Sequence, residues 1–169
     1  GPHGDLSPPP VDYDDTETLL AAARQLVAQG DEDFTLLARV INGEAAGEAA
    51  PGPVAVGWVI RHRLEDKRQR FGRRVEGDPS WASVILQPHQ FSSVGSRLYA
   101  MTPIPEKALL AAIRAYLQLG DDPVDAAQFF FHLPKIRDTT REWLDRALAN
   151  GVFVETAVIG GHTFFKQVK

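Results

Sequence analysis

Apolar residues recur at helical spacing along most of the chain. Leu19, Leu20, Ala23, Leu26 and Val27 form one stripe that Gly30 closes, so the pattern predicts a helix over 16–29. A second stripe of Phe34, Leu37, Val40 and Ile41 predicts a helix from an N-cap at Asp33 to about Ala45. Pro51 and Pro53 open a third helix, with Val56, Val59, Ile60 and Leu64 turned inward. Residues 66–78 read as a polar loop and 79–86 as a short helix that buries Ile85 and Leu86. Residues 87–101 have no clean period and read as a long loop. Pro103 and Pro105 then introduce a helix that ends at Gly120, with Leu109, Ile113, Tyr116 and Leu117 on one face.

The last third changes character. Phe129-Phe130-Phe131 predicts a short buried strand. Thr139-Thr140-Arg141-Glu142 has the form of a capping box, and the helix it opens is stopped by Gly151. Val152, Phe153 and Val154, then Val158 and Ile159, precede Gly160-Gly161, and Thr163, Phe164 and Phe165 follow. That order predicts a hairpin with a glycine turn. The expected class is α+β, mostly α, with a small C-terminal β-hairpin or sheet.

Residues 1–15 stand apart. Gly1-Pro2-His3-Gly4 has the look of a cleaved tag, and Pro8-Pro9-Pro10 suits an extended, flexible tail. A single domain is expected over residues 16–169. The net charge of −4 gives no global attraction to nucleic acid, which is therefore not an expected partner. The chain has no cysteine, which excludes disulfides and a thiolate nucleophile. No apolar run approaches the ~18 residues of a membrane span, and no export signal is present in the first residues. A monomer is expected.

Glu44 is the first candidate for chemistry. It follows Ile41 by three residues, Val40 by four and Leu37 by seven, so it projects from the face that carries the core stripe. It also falls in the last turn of its predicted helix. Burial and the negative helix end both disfavour its anion, and a raised pKa suits a general acid near neutral pH. The competing reading turns Glu44 to solvent or pairs it with Arg39. Glu48 lies four residues on and is a possible second carboxylate, though Gly47 interrupts the helix between them. Lys67, Arg68, Arg70, Arg73 and Arg74 form a basic run, read as a solvated loop or as an attractor for an anionic polymer. The histidines have no metal-binding spacing, so no metal or other cofactor is expected, although His89, His132 and His162 could meet in space. Ser92 and Ser93 lack the context of a serine nucleophile.

Several segments together resemble one family. Leu37-Ala38-Arg39-Val40-Ile41-Asn42-Gly43-Glu44-Ala45-Ala46-Gly47-Glu48 is similar to the "A-x-x-I-x-G-E-A-R-G-E" of SleB-like cell-wall hydrolases, the spore cortex-lytic family. Residues 51–63 follow like that family's "G-Q-x-A-V-A-x-V-V-x-N-R". Gln90-Phe91-Ser92 matches its "Q-F-S", residues 126–134 its "G-A-x-x-F-Y-N-P", and residues 159–165 its "I-G-x-H-x-F-Y". The order and rough spacing are kept across residues 36–165. The resemblance implies a lysozyme-like fold, with residues 16–169 as one cell-wall hydrolase catalytic domain. It also implies cleavage of peptidoglycan between N-acetylmuramic acid and N-acetylglucosamine, with the Glu of "G-E-A" falling on Glu44. The expected place of action is the cell wall or periplasm, with phage delivery as another route.

The chain departs from the family pattern at three motif positions, and the insertion Glu65–Asp78 with its basic run looks longer than the family's. Tyr-Asn becomes His132-Leu133, the Arg after "G-E-A" becomes Ala46, and the Asn of "N-R" becomes His62. Within that reading Glu44 donates a proton to the glycosidic oxygen. It then acts as base toward the muramic acid C6 hydroxyl in a lytic transglycosylase, or toward water in a muramidase, where Glu48 is the second carboxylate. Gln90, Phe91, Ser92, Phe131, His132 and His162 are the expected substrate contacts, with Phe91 read as a sugar-stacking face or, alternatively, as core packing. Two rival functions remain on the sequence: a non-catalytic peptidoglycan-binding module, and a zinc amidase using His89, His132 or His162.

Overall fold

A computed structural model describes residues 15–72, 79–88 and 90–169. The tail of residues 1–14, His89 and the basic residues Arg73 and Arg74 lie outside the described residues. Among the described residues, six α-helices and a three-stranded antiparallel sheet follow in chain order.

Helix α1 (Thr16–Ala28) is capped by Asp15, which accepts from the Glu17 N–H. Helix α2 (Glu32–Ala45) is capped by Asp31 rather than by Asp33. Asp31 accepts from the Phe34 N–H at 3.0 Å, whereas Asp33 accepts from the Ala82 N–H of the next short helix at 3.2 Å. The two aspartates thus divide the work: one caps the start of α2 and the other ties the following short helix to it. Helix α3 (Pro51–Leu64) begins at the proline pair, where a missing N–H costs nothing.

Helix α4 (Trp81–Ile85) buries Ile85, but Leu86 is its C-cap and stays half exposed, contrary to expectation. Residues 87–88 and 90–101 form the expected loop, as a run of turns. Helix α5 (Glu106–Leu117) stops earlier than Gly120, because Gln118 takes a left-handed conformation. Its Leu117 is exposed, while Leu109, Ile113 and Tyr116 face the core as expected.

Strand β1 (Phe129–Phe131) exists, but its three phenylalanines are only half buried. The strand lies at a sheet edge, so one side of each ring row opens to a cleft rather than to the core. A single 3-10 turn (Leu133–Lys135) leads into helix α6 (Asp138–Ala149). The expected capping box does not form. The helix starts one residue before Thr139, with Arg137 in the cap position and no side-chain cap bond. Strands β2 (Phe153–Ile159) and β3 (His162–Gln167) make the expected hairpin about Gly160-Gly161. The sheet order is β1-β3-β2, so the early strand completes a sheet with the C-terminal hairpin.

The main core joins α1, α2, α3, α4 and α5 around Phe34, Leu37, Ile41, Ile60 and Ile113. A second cluster, with Trp58, Val59 and Phe164, fastens α3 to the sheet. A third, with Leu144, Phe153 and Phe165, fastens α6. Helix α3 is therefore the shared wall between the helical layer and the sheet, and the cleft opens where the two diverge. No helix among the described residues is long and apolar enough to cross a membrane.

Candidate active site

Glu44 sits in the last turn of α2 with its side chain partly buried on the wall of a cleft of about 550 Å³. The cleft is also lined by Gln90 and Ser92 from the loop after α4, by the β1 phenylalanines, and by His132 and His162. Six of the residues expected from sequence thus share one surface: Glu44, Gln90, Ser92, Phe131, His132 and His162. Arg39, the alternative partner of Glu44, donates instead to the carbonyls of Tyr99 and Met101.

Burial raises the Glu44 carboxyl above its ordinary 4.5, against the pull of His162, the Ser93 hydroxyl and Arg63. A carboxyl raised in this way keeps a transferable proton at a higher pH than a free glutamate does. The neighbouring glycine is what lets the loop approach. A Cβ on Gly43 would stand 2.7 Å from both Cβ and Oγ of Ser93, so any side chain there forces the loop away from α2. The "G-E" pair of the motif therefore has a steric meaning: the glycine admits the loop that closes over the glutamate.

Glu48 is not a second carboxylate on the cleft. It lies beyond the end of α2, where it accepts from His162 Nδ1 at 2.9 Å. It is closely enclosed: a Cβ on Gly52 would meet its Oε2 at 2.9 Å, and one on Gly160 would meet its Oε1 at 2.7 Å. Its backbone carbonyl accepts from Lys107 of α5. Glu48 can therefore orient His162 and fix which ring nitrogen carries the proton, but it does not line the cleft. His132 packs edge-on against His162, ring centroids 5.8 Å apart, and its Nδ1 is buried with no hydrogen-bond partner among the described residues.

Phe91 takes the core-packing alternative rather than the sugar-stacking one. It is buried in the helical core, and Arg63 lies over its ring, 4.9 Å from the centroid. Its burial leaves no face for a sugar. Arg63 itself is the residue that sequence reasoning passed over. It is 5% exposed, donates Nε to the Gln128 carbonyl at 2.7 Å and Nη1 to Gln90 Oε1 at 3.0 Å, and also covers Phe71 and Phe129. Burial lowers its pKa to about 10, with Glu44 opposing the shift, so it stays cationic near neutral pH. The signal was present, since Arg63 is the Arg of the "N-R" pair. Nothing in its spacing said that a charge would be carried inward.

The described members of the basic run, Lys67, Arg68 and Arg70, do not line the Glu44 cleft. Arg70 is engaged by Asp66 through its N–H, its Nε and its Nη2. Lys67 and Arg68 border a separate hollow near His62. Trp143, Lys135 and Ile136 line the Glu44 cleft and were not singled out from sequence. Among the described residues no group of three His, Asp or Glu side chains is placed to hold a metal ion, and His89 lies outside them.

Comparison with known proteins gives a consistent result. The family model described as "Cell Wall Hydrolase" matches residues 47–165, a span that contains Glu48, Arg63, Gln90 and both cleft histidines and starts just after Glu44. The spore cortex-lytic enzyme of Halalkalibacterium halodurans is 32% identical over 125 residues, covering 73% of this chain and 34% of that protein. That of Bacillus subtilis strain 168 is 34% identical over 104 residues, covering 60% of this chain and 30% of that protein. The chain thus spans about a third of the length of these curated relatives. Among solved structures, the catalytic domain of the germination-specific lytic transglycosylase SleB from Bacillus anthracis superposes with a TM-score of 0.61 at 26% identity. That superposition covers 79% of this chain and 93% of the other. The catalytic domain of the Bacillus cereus SleB protein gives 0.60 at 27% identity, with 79% and 89% covered. These likenesses bear out the expected fold class.

Proposed function

The chain belongs to the cell wall hydrolase family, and from that premise we propose that it cleaves the glycan strands of peptidoglycan between N-acetylmuramic acid and N-acetylglucosamine, with Glu44 as general acid and base. The observation that carries the reading is a carboxyl with a raised pKa on the wall of an open cleft. Lytic transglycosylation is the favoured form, for a geometric reason. Glu48 is engaged with His162 and enclosed by Gly52 and Gly160, so Glu44 is the one carboxylate among the described residues lining the cleft. A single carboxylate suffices when the sugar's own C6 hydroxyl is the nucleophile: Glu44 gives its proton to the leaving oxygen and then takes the hydroxyl proton. Hydrolysis by a two-carboxylate route calls for a second acid on the cleft.

Arg63 and His162 then have a defined task. Both favour the Glu44 anion that forms once the proton has left, while burial opposes them. Glu48 acts through His162 as a positioning residue. The substrate places the activity at the cell wall or periplasm.

The test is the pair of wild type and Glu44→Gln on purified sacculi. Wild type should clear turbidity and release fragments with 1,6-anhydro ends by mass spectrometry. The variant should stay folded and lose at least about a hundredfold in rate, the lower end of what a general acid contributes. Reducing ends in place of anhydro ends would reassign the product chemistry to a muramidase. Full activity in Glu44→Gln would remove the proposal.

A further inference from the structure

The cleft that holds Glu44 runs on past β1 to α6, and its far wall takes no part in the proton transfers above. Trp143 stands on that wall. It is 44% exposed, whereas the other two tryptophans, Trp58 and Trp81, are 3% and 8% exposed. Its indole is held by ring contacts, with Phe153 at 5.2 Å and 81° and Phe131 at 6.4 Å and 66°. A large apolar surface is therefore left open in a fixed orientation. Lys135, from the 3-10 turn before α6, lines the same cleft, is exposed, and forms no ion pair among the described residues.

A rigid aromatic face and an ammonium without an ion-pair partner among the described residues, lining one groove with the proposed glycan-cleaving centre, suit a sugar that carries acid. We propose that Trp143 and Lys135 form a second saccharide subsite of the cleft, in which the indole stacks on a pyranose ring and the Lys135 ammonium binds a carboxylate borne by the strand. The inference rests on the glycan-cleaving reading of Glu44 and adds where the rest of the strand lies. The carboxylate has two sources in peptidoglycan: the peptide stem, or the lactyl group once the stem is removed.

The positions of the three tryptophans supply the readout. In the Glu44→Gln chain, which leaves bound strands intact, soluble peptidoglycan strands should shift tryptophan emission to shorter wavelength and shield it from acrylamide. Trp143→Phe should abolish that change in emission while the protein still pellets with sacculi. Trp143→Ala should weaken strand binding about three- to tenfold, the range expected for one aromatic stack. Lys135→Gln should weaken binding of stem-bearing strands if the stem supplies the acid, or of amidase-treated strands if the lactyl group does. It should leave binding of neutral N-acetylglucosamine oligomers unchanged.

Strands that bind without altering tryptophan emission would overturn the subsite, as would unchanged affinity in both Trp143→Ala and Lys135→Gln. A wild-type chain that neither binds nor cleaves purified peptidoglycan would overturn the underlying reading as well, so the two failures are distinguishable. Circular dichroism of each variant, with Trp143→Phe as the conservative control, separates loss of the subsite from loss of fold.

Discussion

Glu44 ionises against its surroundings, and two consequences follow at the scale of the residue. Because burial raises its carboxyl, the folded chain favours the neutral form. Stability from that preference is complete below the ordinary value of 4.5, where folded and unfolded chains are both protonated. It is lost as pH rises through the higher folded value. Glu44→Gln carries no such burden. Its melting temperature should exceed that of wild type at pH 7, by roughly 2–4 °C for each kcal/mol relieved, and the gap should close below pH 4.5. Thermal melts at the two pH values check this. Glu48 makes a different prediction. Glu48→Gln keeps the size but weakens the hold on His162, so it should cost up to about a hundredfold in kcat with a smaller change in KM. It should also change the pH profile, which a purely structural defect would leave in place. Sequence legibility was uneven here. Glu44 was visible because a helix face projects it, whereas the roles of Glu48, Phe91 and Arg63 depended on neighbours far along the chain.

At the scale of elements, the site is made by close approaches that small residues permit. The end of α2 meets the loop after α4 at Gly43, where an added Cβ would lie 2.7 Å from Ser93. Gly43→Ala should therefore cost about 1–3 kcal/mol through forced repacking. Urea denaturation at unchanged m-value would measure it, and activity should fall further than stability, because the same shift moves Ser92 and Gln90 on the cleft. The hairpin turn shows the same device. Gly160 has a φ of +60° and sits against Glu48, so both its backbone and its lack of a side chain are used. The hairpin was legible from its glycines and alternating apolar residues. The capping box was not a true signal, because Thr139 falls inside the first turn of α6 rather than before it. An N-cap pattern marks where a helix can start, and packing of Leu144 against the sheet decides where it does.

For the whole molecule, Arg63 is the tie between layers. From α3 it reaches the Gln128 carbonyl before β1 and the Gln90 side chain beyond α4, over three aromatic rings. Arg63→Met fills much of that volume without the charge or the donors. It should lower stability by about 1–3 kcal/mol, from two acceptors left unpaired. It should also raise the Glu44 pKa further, since the cation that lowers it is gone. The alkaline limb of the pH-rate profile should move upward, which a pH series on soluble glycan would show. What the sequence determined by itself was local: helices from apolar period, breaks from proline and glycine, a hairpin from a glycine pair, and one glutamate turned toward the core side of its helix. These depend on residues within a few positions of one another. The tertiary structure alone decided which carboxylate meets the cleft and which is enclosed behind a histidine. It also decided that Phe91 is core, that β1 completes a distant sheet, and that Trp143 and Lys135 share a cleft with Glu44. Those outcomes require contacts between segments tens of residues apart, and hydrophobic spacing carries no information about which distant surfaces will meet.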